Sequence, residues 1–185
     1  MRQIRLISGA RLTIAAACCA LLLALAASAQ TLKPVAPAAA AKVTQIDAEG
    51  LKKLLKPNGK PLLVNFWATW CDPCRDEFPD LVKIDAEYKG RIDFLTVSLD
   101  DVEDKDTAVP KFLAEMKAEM PVYLLITPDE GAAILSVNKD WTGGLPFTIL
   151  YNEKGEQAYF RQGKIRVDIL KEALTKTVAA SPNVP

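Results

Sequence analysis

Short apolar runs alternate with amphipathic stretches along most of the chain, and this alternation predicts strands that alternate with helices. Residues 62–67 are apolar apart from Asn65, which predicts a strand that is buried on both faces. Residues 92–99 have the same character and predict a second central strand. We predict the remaining strands at 43–46, 122–126, 148–151 and 157–161, and helices at 49–55, 71–88, 109–120, 129–137 and 167–178.

The order of these segments indicates the fold class. Asp47 is a candidate N-cap of the first helix, and Pro57-Asn58-Gly59 is a typical helix end. The last two strands flank the turn residues 152–155, which predicts a hairpin. Alternating strands and helices, followed by a hairpin and a final helix, predict an α/β fold with a central mixed sheet flanked by helices.

The first 29 residues have the layout of a secretory signal peptide. Three arginines precede an apolar stretch at 12–27 that is interrupted only by Thr13, and a small-x-small pattern follows at residues 27–29. This pattern predicts cleavage after residue 29 and export to the periplasm or another extracytoplasmic compartment. The alternatives are an uncleaved membrane anchor and a lipoprotein signal that ends at Cys18 or Cys19.

The rest of the chain predicts one domain behind a linker. Residues 30–42 are rich in Ala and Pro, which indicates a disordered linker, and residues 43–180 have the length of one compact domain. Without residues 1–29 the chain keeps 20 basic and 23 acidic residues, a net charge of −3. This balance argues against nucleic-acid binding, which requires a basic surface.

The cysteine and histidine counts narrow the chemistry further. The chain has four cysteines and no histidine, and after removal of residues 1–29 only Cys71 and Cys74 remain. The absence of imidazole excludes Ser-His-Asp and Cys-His hydrolases and histidine-ligated metal sites. A zinc site would need two further soft ligands, so we expect no bound metal.

The motif Trp70-Cys71-Asp72-Pro73-Cys74 is the strongest chemical signal. It follows the predicted strand 62–67 and opens the predicted helix 71–88. The partial positive charge and free amide hydrogens of a helix N-terminus stabilise a thiolate on the first cysteine, which becomes the nucleophile. The second cysteine lies one turn further on and can resolve a mixed disulfide. The motif therefore predicts a thiol–disulfide oxidoreductase whose redox group is the cysteine pair itself, with no further cofactor.

Residues 43–178 resemble the thioredoxin superfamily, and more closely its exported TlpA/ResA-like branch. The resemblance rests on the signature FWATWCDPC, on Pro79 five residues after the second cysteine, and on Gly144-Leu145-Pro146 followed by a predicted strand. It implies a thioredoxin-like fold, with a branch-specific insertion between Asp100 and Lys139.

The resemblance also implies roles for the site residues. Cys71 would attack a substrate disulfide and Cys74 would resolve the intermediate. Pro146 would follow a cis peptide bond, so that its loop, with Leu145, pairs with substrate beside the cysteines. Trp70 would cover part of the substrate-binding surface.

A buried acid is expected near the second cysteine. Asn65 stands where cytosolic thioredoxins carry a buried aspartate, so it cannot accept a proton here. Glu77 lies three residues after Cys74, on the same helix face, and the resemblance implies that it relays the proton. A solvated surface carboxylate is the alternative for Glu77.

The two residues between the cysteines are expected to tune the redox potential. Asp72 places a negative charge beside Cys71 and disfavours its thiolate, while Pro73 is the other tuning position. This favours a reductant, and the resemblance implies that exported protein thiols are the substrates, including those of apocytochrome c before haem attachment. A membrane thiol carrier would supply the electrons. An oxidant or isomerase of secreted proteins is the alternative.

Three alternative functions belong to other classes of protein. A thiol peroxidase needs a threonine just before its cysteine and a nearby arginine, and Thr69 and Arg75 fit superficially. A non-enzymatic binding module with a structural disulfide is the second. A copper chaperone would need a histidine partner and is excluded.

The remaining conspicuous residues favour ordinary structural roles. The acidic run at residues 100–106 lacks the glycine and spacing of a calcium loop, so we expect a solvated loop whose acids favour the next helix N-terminus. Met116 and Met120, four residues apart, predict packing along one helix. Trp67 is expected in the core, and Trp141 either in the core or at the site.

Overall fold

The computed structural model describes residues 42–182, and the elements of this part follow the predicted order. The predicted signal peptide, and the linker up to residue 41, lie outside the described residues. Among residues 42–182, no helix combines the length and the apolarity needed to cross a bilayer. The strands are β1 (Val43–Ile46), β2 (Leu62–Trp67), β3 (Asp93–Ser98), β4 (Val122–Leu125), β5 (Phe147–Tyr151) and β6 (Gln157–Gln162). The helices are α1 (Ala48–Leu54), α2 (Asp72–Tyr88), α3 (Ala108–Met116), α4 (Glu130–Val137) and α5 (Val167–Ala180).

The six strands form one mixed sheet in the order β1-β4-β3-β2-β5-β6. The first four are mutually parallel, whereas β5 runs antiparallel to both β2 and β6. This confirms the predicted α/β fold with a central mixed sheet and a C-terminal hairpin. The segment between Asp100 and Lys139 contains α3, β4 and α4. Its assignment as an insertion stays a prediction.

Strand β2 lies at the centre, and all six of its residues are buried. Alternate side chains point to opposite faces of the sheet and enter two separate hydrophobic clusters. Leu63 and Trp67 lie in the cluster covered by α2, α3 and α5, together with both cysteines. Val64 and Phe66 lie in the cluster covered by α1 and α4. The buried strand predicted from the sequence therefore anchors both layers, and the motif begins where it ends.

Two tryptophans belong to these clusters. Trp67 is fully buried, as predicted, and stacks on Phe112 with ring centroids 4.7 Å apart. Trp141 is 2% exposed and stacks on Phe147 at 4.4 Å. Of the two positions expected for Trp141, the core and the site, the structure shows the core.

Helix α3 ends four residues earlier than predicted. Lys117 adopts a left-handed conformation (φ 56°), and the Ala118 amide donates to the Leu113 carbonyl at 3.0 Å, which closes the helix. Met120 is consequently outside α3, although it is buried in the same cluster that Met116 packs against. The predicted packing of both methionines along one helix is wrong, because the helix stops between them.

Shortening a side chain in β2 should expose how much the fold depends on this strand. Leu63→Ala removes a fully buried side chain and should lower the free energy of unfolding by about 2–5 kcal/mol, because a cavity remains in the core. Leu135→Ala is the matched control, since Leu135 is 59% exposed, and its effect should stay within about 0.5 kcal/mol. Urea unfolding monitored by far-UV circular dichroism measures both. Equal losses for the two variants would contradict the central role of β2.

Candidate active site

The two motif cysteines form a disulfide at the start of α2. Strand β2 ends at Trp67, three residues follow, and Cys71 then serves as the N-cap of the helix. Its Cα atom lies 5.3 Å from that of Cys74, and the Cys74 amide donates to the Cys71 sulfur at 3.3 Å. The sequence-predicted helix start is confirmed. The disulfide therefore lies at the N-terminal end of α2, where the helix dipole is positive.

Burial differs sharply across the motif. Cys74 is fully buried and Cys71 is 5% exposed, whereas Trp70 is 67% exposed. Asp72 and Pro73 are exposed in the first turn of α2. The motif thus presents an aromatic ring and the edge of one cysteine to solvent, while the second cysteine is enclosed by the core.

The loop before Cys71 is fixed by a buried carboxylate. The Thr69 amide donates to both oxygens of Asp100, at 3.0 and 3.1 Å, and the Thr69 hydroxyl donates at 2.6 Å. The Ser98 hydroxyl donates to Asp100 as well, at 2.6 Å. Because β2 and β3 are parallel neighbours, their carboxyl ends bring these three residues together.

This arrangement corrects the interpretation of the acidic run at residues 100–106. Asp100 is 3% exposed and structural, not part of a solvated loop. A short 3₁₀ turn, Val102–Asp104, lies within the run, and the first turn of α3 contains no acid. Asp106 directly precedes Thr107, the N-cap of α3, and the expected stabilisation of that helix by the acids of the run stays a prediction.

The proline loop directly precedes β5 and lies beside the end of β2, because the two strands are antiparallel. The Leu145–Pro146 peptide bond is cis, as predicted. Phe147 pairs with Phe66, so the sheet register places Pro146 opposite the residue that ends β2. Leu145 is half-buried and packs against the cluster that contains both cysteines. The structure thus brings the predicted substrate loop to the same edge of the sheet as the motif.

Two side chains outside the loop hold it in place. The Trp141 indole donates to the Gly144 carbonyl at 3.0 Å. The amide and hydroxyl of Thr142 both donate to the side-chain oxygen of Gln162, each at 3.0 Å. A Cβ atom at Gly144 would lie 2.6 Å from the Gln162 side chain, so glycine permits this close approach.

Glu77 is a fully buried acid one turn after Cys74. One carboxylate oxygen accepts from the Asn65 side-chain amide at 2.9 Å, and the other accepts from the Ile165 backbone amide at 2.7 Å. The solvated-surface alternative for Glu77 is thereby removed. Each oxygen has one donor, so the carboxylate is oriented.

Burial determines the ionisation of this carboxyl. Removal from water disfavours the charged form and raises the pKa of Glu77 from 4.5 to about 7. The Ile165 and Asn65 hydrogen bonds, and the positive charges of Lys164 and Arg161, act in the opposite direction but are weaker. Glu77 can therefore take up or release a proton near neutral pH.

Asn65 belongs to a polar row across the sheet. Thr96 and Thr148 are its register partners on β3 and β5, and all three side chains are fully buried. The Asn65 amide nitrogen donates to Thr148 at 3.0 Å as well as to Glu77, so it is held from two sides. The row lies on the α2 face of the sheet, where Asn65 contacts the Glu77 carboxylate.

The sequence prediction missed three parts of the site. Asp100 lies in an acidic run, although the hydroxyl residues Thr69, two positions after β2, and Ser98, at the end of β3, were a local signal. Thr148 was visible as a polar residue in an apolar strand. The Ile165 amide gave no signal, because a backbone donor is independent of residue type. Within residues 42–182 no cluster of three or more His, Cys, Asp or Glu could hold a metal.

Comparisons with known proteins agree with this geometry. The model of the AhpC/TSA family matches residues 33–160. Thiol-disulfide oxidoreductase ResA of Oceanobacillus iheyensis is 34% identical over 114 residues, which are 61% of this chain and 55% of that relative. The chain thus spans little more than half the length of this curated relative.

Solved structures show the same fold. StoA from Bacillus subtilis is 28% identical, with a TM-score of 0.50 over 63% of this chain and 84% of that one. A thiol:disulfide interchange protein of the thioredoxin family from Chlorobium tepidum TLS gives a TM-score of 0.56 at 20% identity, over 77% of this chain and 99% of that one. At that identity the second likeness concerns the fold alone. The predicted thioredoxin-like fold is confirmed.

The buried acid should make stability fall as the pH rises. Between about pH 4.5 and 7 the folded carboxyl keeps its proton while the unfolded one releases it, so folding loses on the order of 3 kcal/mol across this window. Glu77→Gln preserves the shape and cannot titrate, so its unfolding free energy should lack this component. Urea unfolding of both proteins across the window measures the difference. Parallel pH profiles would show that Glu77 ionises normally in the fold.

Proposed function

The chain belongs to the AhpC/TSA family, and we propose that it is a thiol–disulfide oxidoreductase that cycles between the Cys71–Cys74 disulfide and the dithiol. The observation that supports this best is the disulfide at the N-terminus of α2, in which Cys71 keeps 5% of its surface exposed and Cys74 is fully buried, one turn before a buried acid. A purely structural disulfide does not need this asymmetry, and a bond between cysteines only three positions apart constrains the unfolded chain little.

The reaction follows from the positions of the two sulfurs. In the reduced protein the Cys71 thiolate attacks a substrate disulfide, forms a mixed disulfide and releases one substrate thiolate. Cys74 then loses its proton and attacks the Cys71 sulfur, which re-forms the disulfide and releases the second substrate thiolate. Two electrons pass to the substrate, whose thiolates take up protons. No further cofactor enters this scheme.

Glu77 is proposed as the proton acceptor for Cys74. It follows Cys74 by three residues on α2, it is buried with it, and its raised pKa lies near neutral pH. A base with a pKa near the working pH transfers protons most effectively. Asn65 has no basic group and acts only by orienting this carboxylate.

Substrate docking is assigned to the surface between Trp70 and the proline loop. Trp70 offers an exposed ring beside Cys71, and Leu145 and Pro146 directly precede β5. Pro146 has no amide hydrogen, but an extended substrate segment can pair with the backbone of the residues around it. Protein thiols and disulfides are therefore the proposed partners.

The proposed direction is reduction of extracytoplasmic proteins. Asp72 is exposed beside Cys71, where its charge opposes the thiolate and disfavours a strongly oxidising protein, while Pro73 occupies the second helical position. The N-terminal pattern supports export. Apocytochrome c thiols are a candidate substrate, and a membrane thiol carrier is the proposed electron donor. Oxidation or isomerisation of secreted proteins is the competing direction.

The geometry disfavours a thiol peroxidase. The Thr69 hydroxyl donates its hydrogen to Asp100, and the Arg75 guanidinium contacts the Thr69 carbonyl at 3.4 Å and lies over the Phe112 ring. Both groups are therefore engaged away from the cysteine, whereas a peroxidase needs them to hold the peroxide.

Cysteine variants test the proposed exchange. Cys74→Ser should accumulate mixed disulfides with protein substrates, because the resolving thiol is missing, and Cys71→Ser should abolish both exchange and trapping. Non-reducing electrophoresis of cells that express each variant, followed by identification of trapped partners, is the measurement. The double variant is the control for background adducts. If Cys74→Ser traps nothing beyond that background, the oxidoreductase proposal fails.

The reduction potential decides the direction. We expect the Cys71–Cys74 couple at about −250 mV or lower, the range of thioredoxin-like reductants. Equilibration with glutathione or dithiothreitol, followed by alkylation and mass spectrometry, gives the value. A potential of roughly −120 to −180 mV would indicate an oxidant or isomerase and would remove the apocytochrome c assignment.

A further inference from the structure

The backbone amides that follow β6 donate first to the loop before the neighbouring strand and then to a side chain. After β6, the Gly163 amide extends the ladder and donates to the Pro146 carbonyl at 2.7 Å. The next amide on the same side is that of Ile165, and in a continued ladder it would meet the Gly144 carbonyl. That carbonyl accepts from Trp141 instead, and the Ile165 amide donates to Glu77. The Glu77 carboxylate thus takes the place of the Gly144 carbonyl as the acceptor for the Ile165 amide.

Three consecutive residues therefore join two parts of the site. One end of residues 163–165 holds the carbonyl of the cis-proline, and the other end holds the buried acid. We propose that the backbone of residues 163–165 is a positioning element that orients Glu77 and couples its protonation to the Pro146 loop. The relevance of this segment to catalysis rests on the proposed function. The coupling between Glu77 and the Pro146 loop does not depend on that function.

The conformation of this segment depends on one glycine. Gly163 has φ +86°, a region that side chains with a Cβ rarely adopt, yet a Cβ there would meet no other atom within 4 Å. Alanine at this position would consequently strain the backbone without creating a clash. Gly163→Ala should therefore shift the backbone that follows and displace the Ile165 amide, which lies two residues later.

The charges around Glu77 fix the direction of the expected effect. On β6 and the segment itself, Arg161 and Lys164 favour the carboxylate, and Tyr159 is the other titratable group there that interacts with it. On β2 the neutral Asn65 donates to it. Because the Ile165 amide also stabilises the charged form, weakening that bond should raise the pKa of Glu77.

Carbon-13 NMR of the glutamate carboxyl groups in the oxidised protein tests the orienting role. Gly163→Ala should raise the titration midpoint of Glu77 by about half a pH unit or more. Gly163→Asn should restore most of the original midpoint, since asparagine tolerates positive φ. Gly90→Ala is the matched control, because Gly90 has φ +79° and equally open space but lies beyond the far end of α2. Equal midpoints in the two alanine variants would overturn the orienting role.

The coupling is tested on the loop itself. In the wild-type protein the amide resonances of Leu145 and Phe147 should titrate with the midpoint of Glu77, and this response should vanish in Glu77→Gln. Loop resonances that ignore the Glu77 titration would overturn the coupling, even if Gly163→Ala does not fold. The proposed function fails separately, if Cys74→Ser traps no substrate while both NMR results hold.

Discussion

The buried carboxylate of Glu77 is the constraint around which the site is arranged. An acid in the core requires donors, and this fold supplies them from two distant places, the side chain of Asn65 on β2 and the backbone before α5. These bonds orient the group, but desolvation still dominates its ionisation. The packing of α2 and α5 onto one face of the sheet is thus inseparable from the chemistry proposed for the cysteine pair.

The two buried acids near the motif have different environments. Asp100 accepts from Thr69 and Ser98 through backbone and hydroxyl groups and ties together the ends of β2 and β3. Glu77 accepts only one hydrogen bond on each oxygen. The first fixes the loop before Cys71, and the second can exchange a proton. The disulfide therefore lies between a loop fixed by Asp100 and a buried carboxyl, Glu77, that can change its protonation state.

The sequence predicted the fold well because its signals are local. Strand β2 was predicted to the residue, since a continuous apolar run between turn residues has few other interpretations. The end of α3 was missed because the residue that terminates it is Lys117 and not the usual glycine. Asp100 was misjudged because Thr69, which donates three of its hydrogen bonds, lies in the distant loop after β2. The Ile165 amide could not be predicted, since only the tertiary structure decides which acceptor a backbone donor meets.

The exposed ring of Trp70 has a consequence for selectivity. The loop that carries it is held by Asp100 through Thr69, so the backbone that presents the exposed indole is fixed beside Cys71. Apolar contact is non-directional and rewards area more than sequence. The docking role proposed for Trp70 would favour substrate cysteines with apolar neighbours and would place few other demands on their sequence. The proposal thus implies a broad range of substrates, recognised through one side chain.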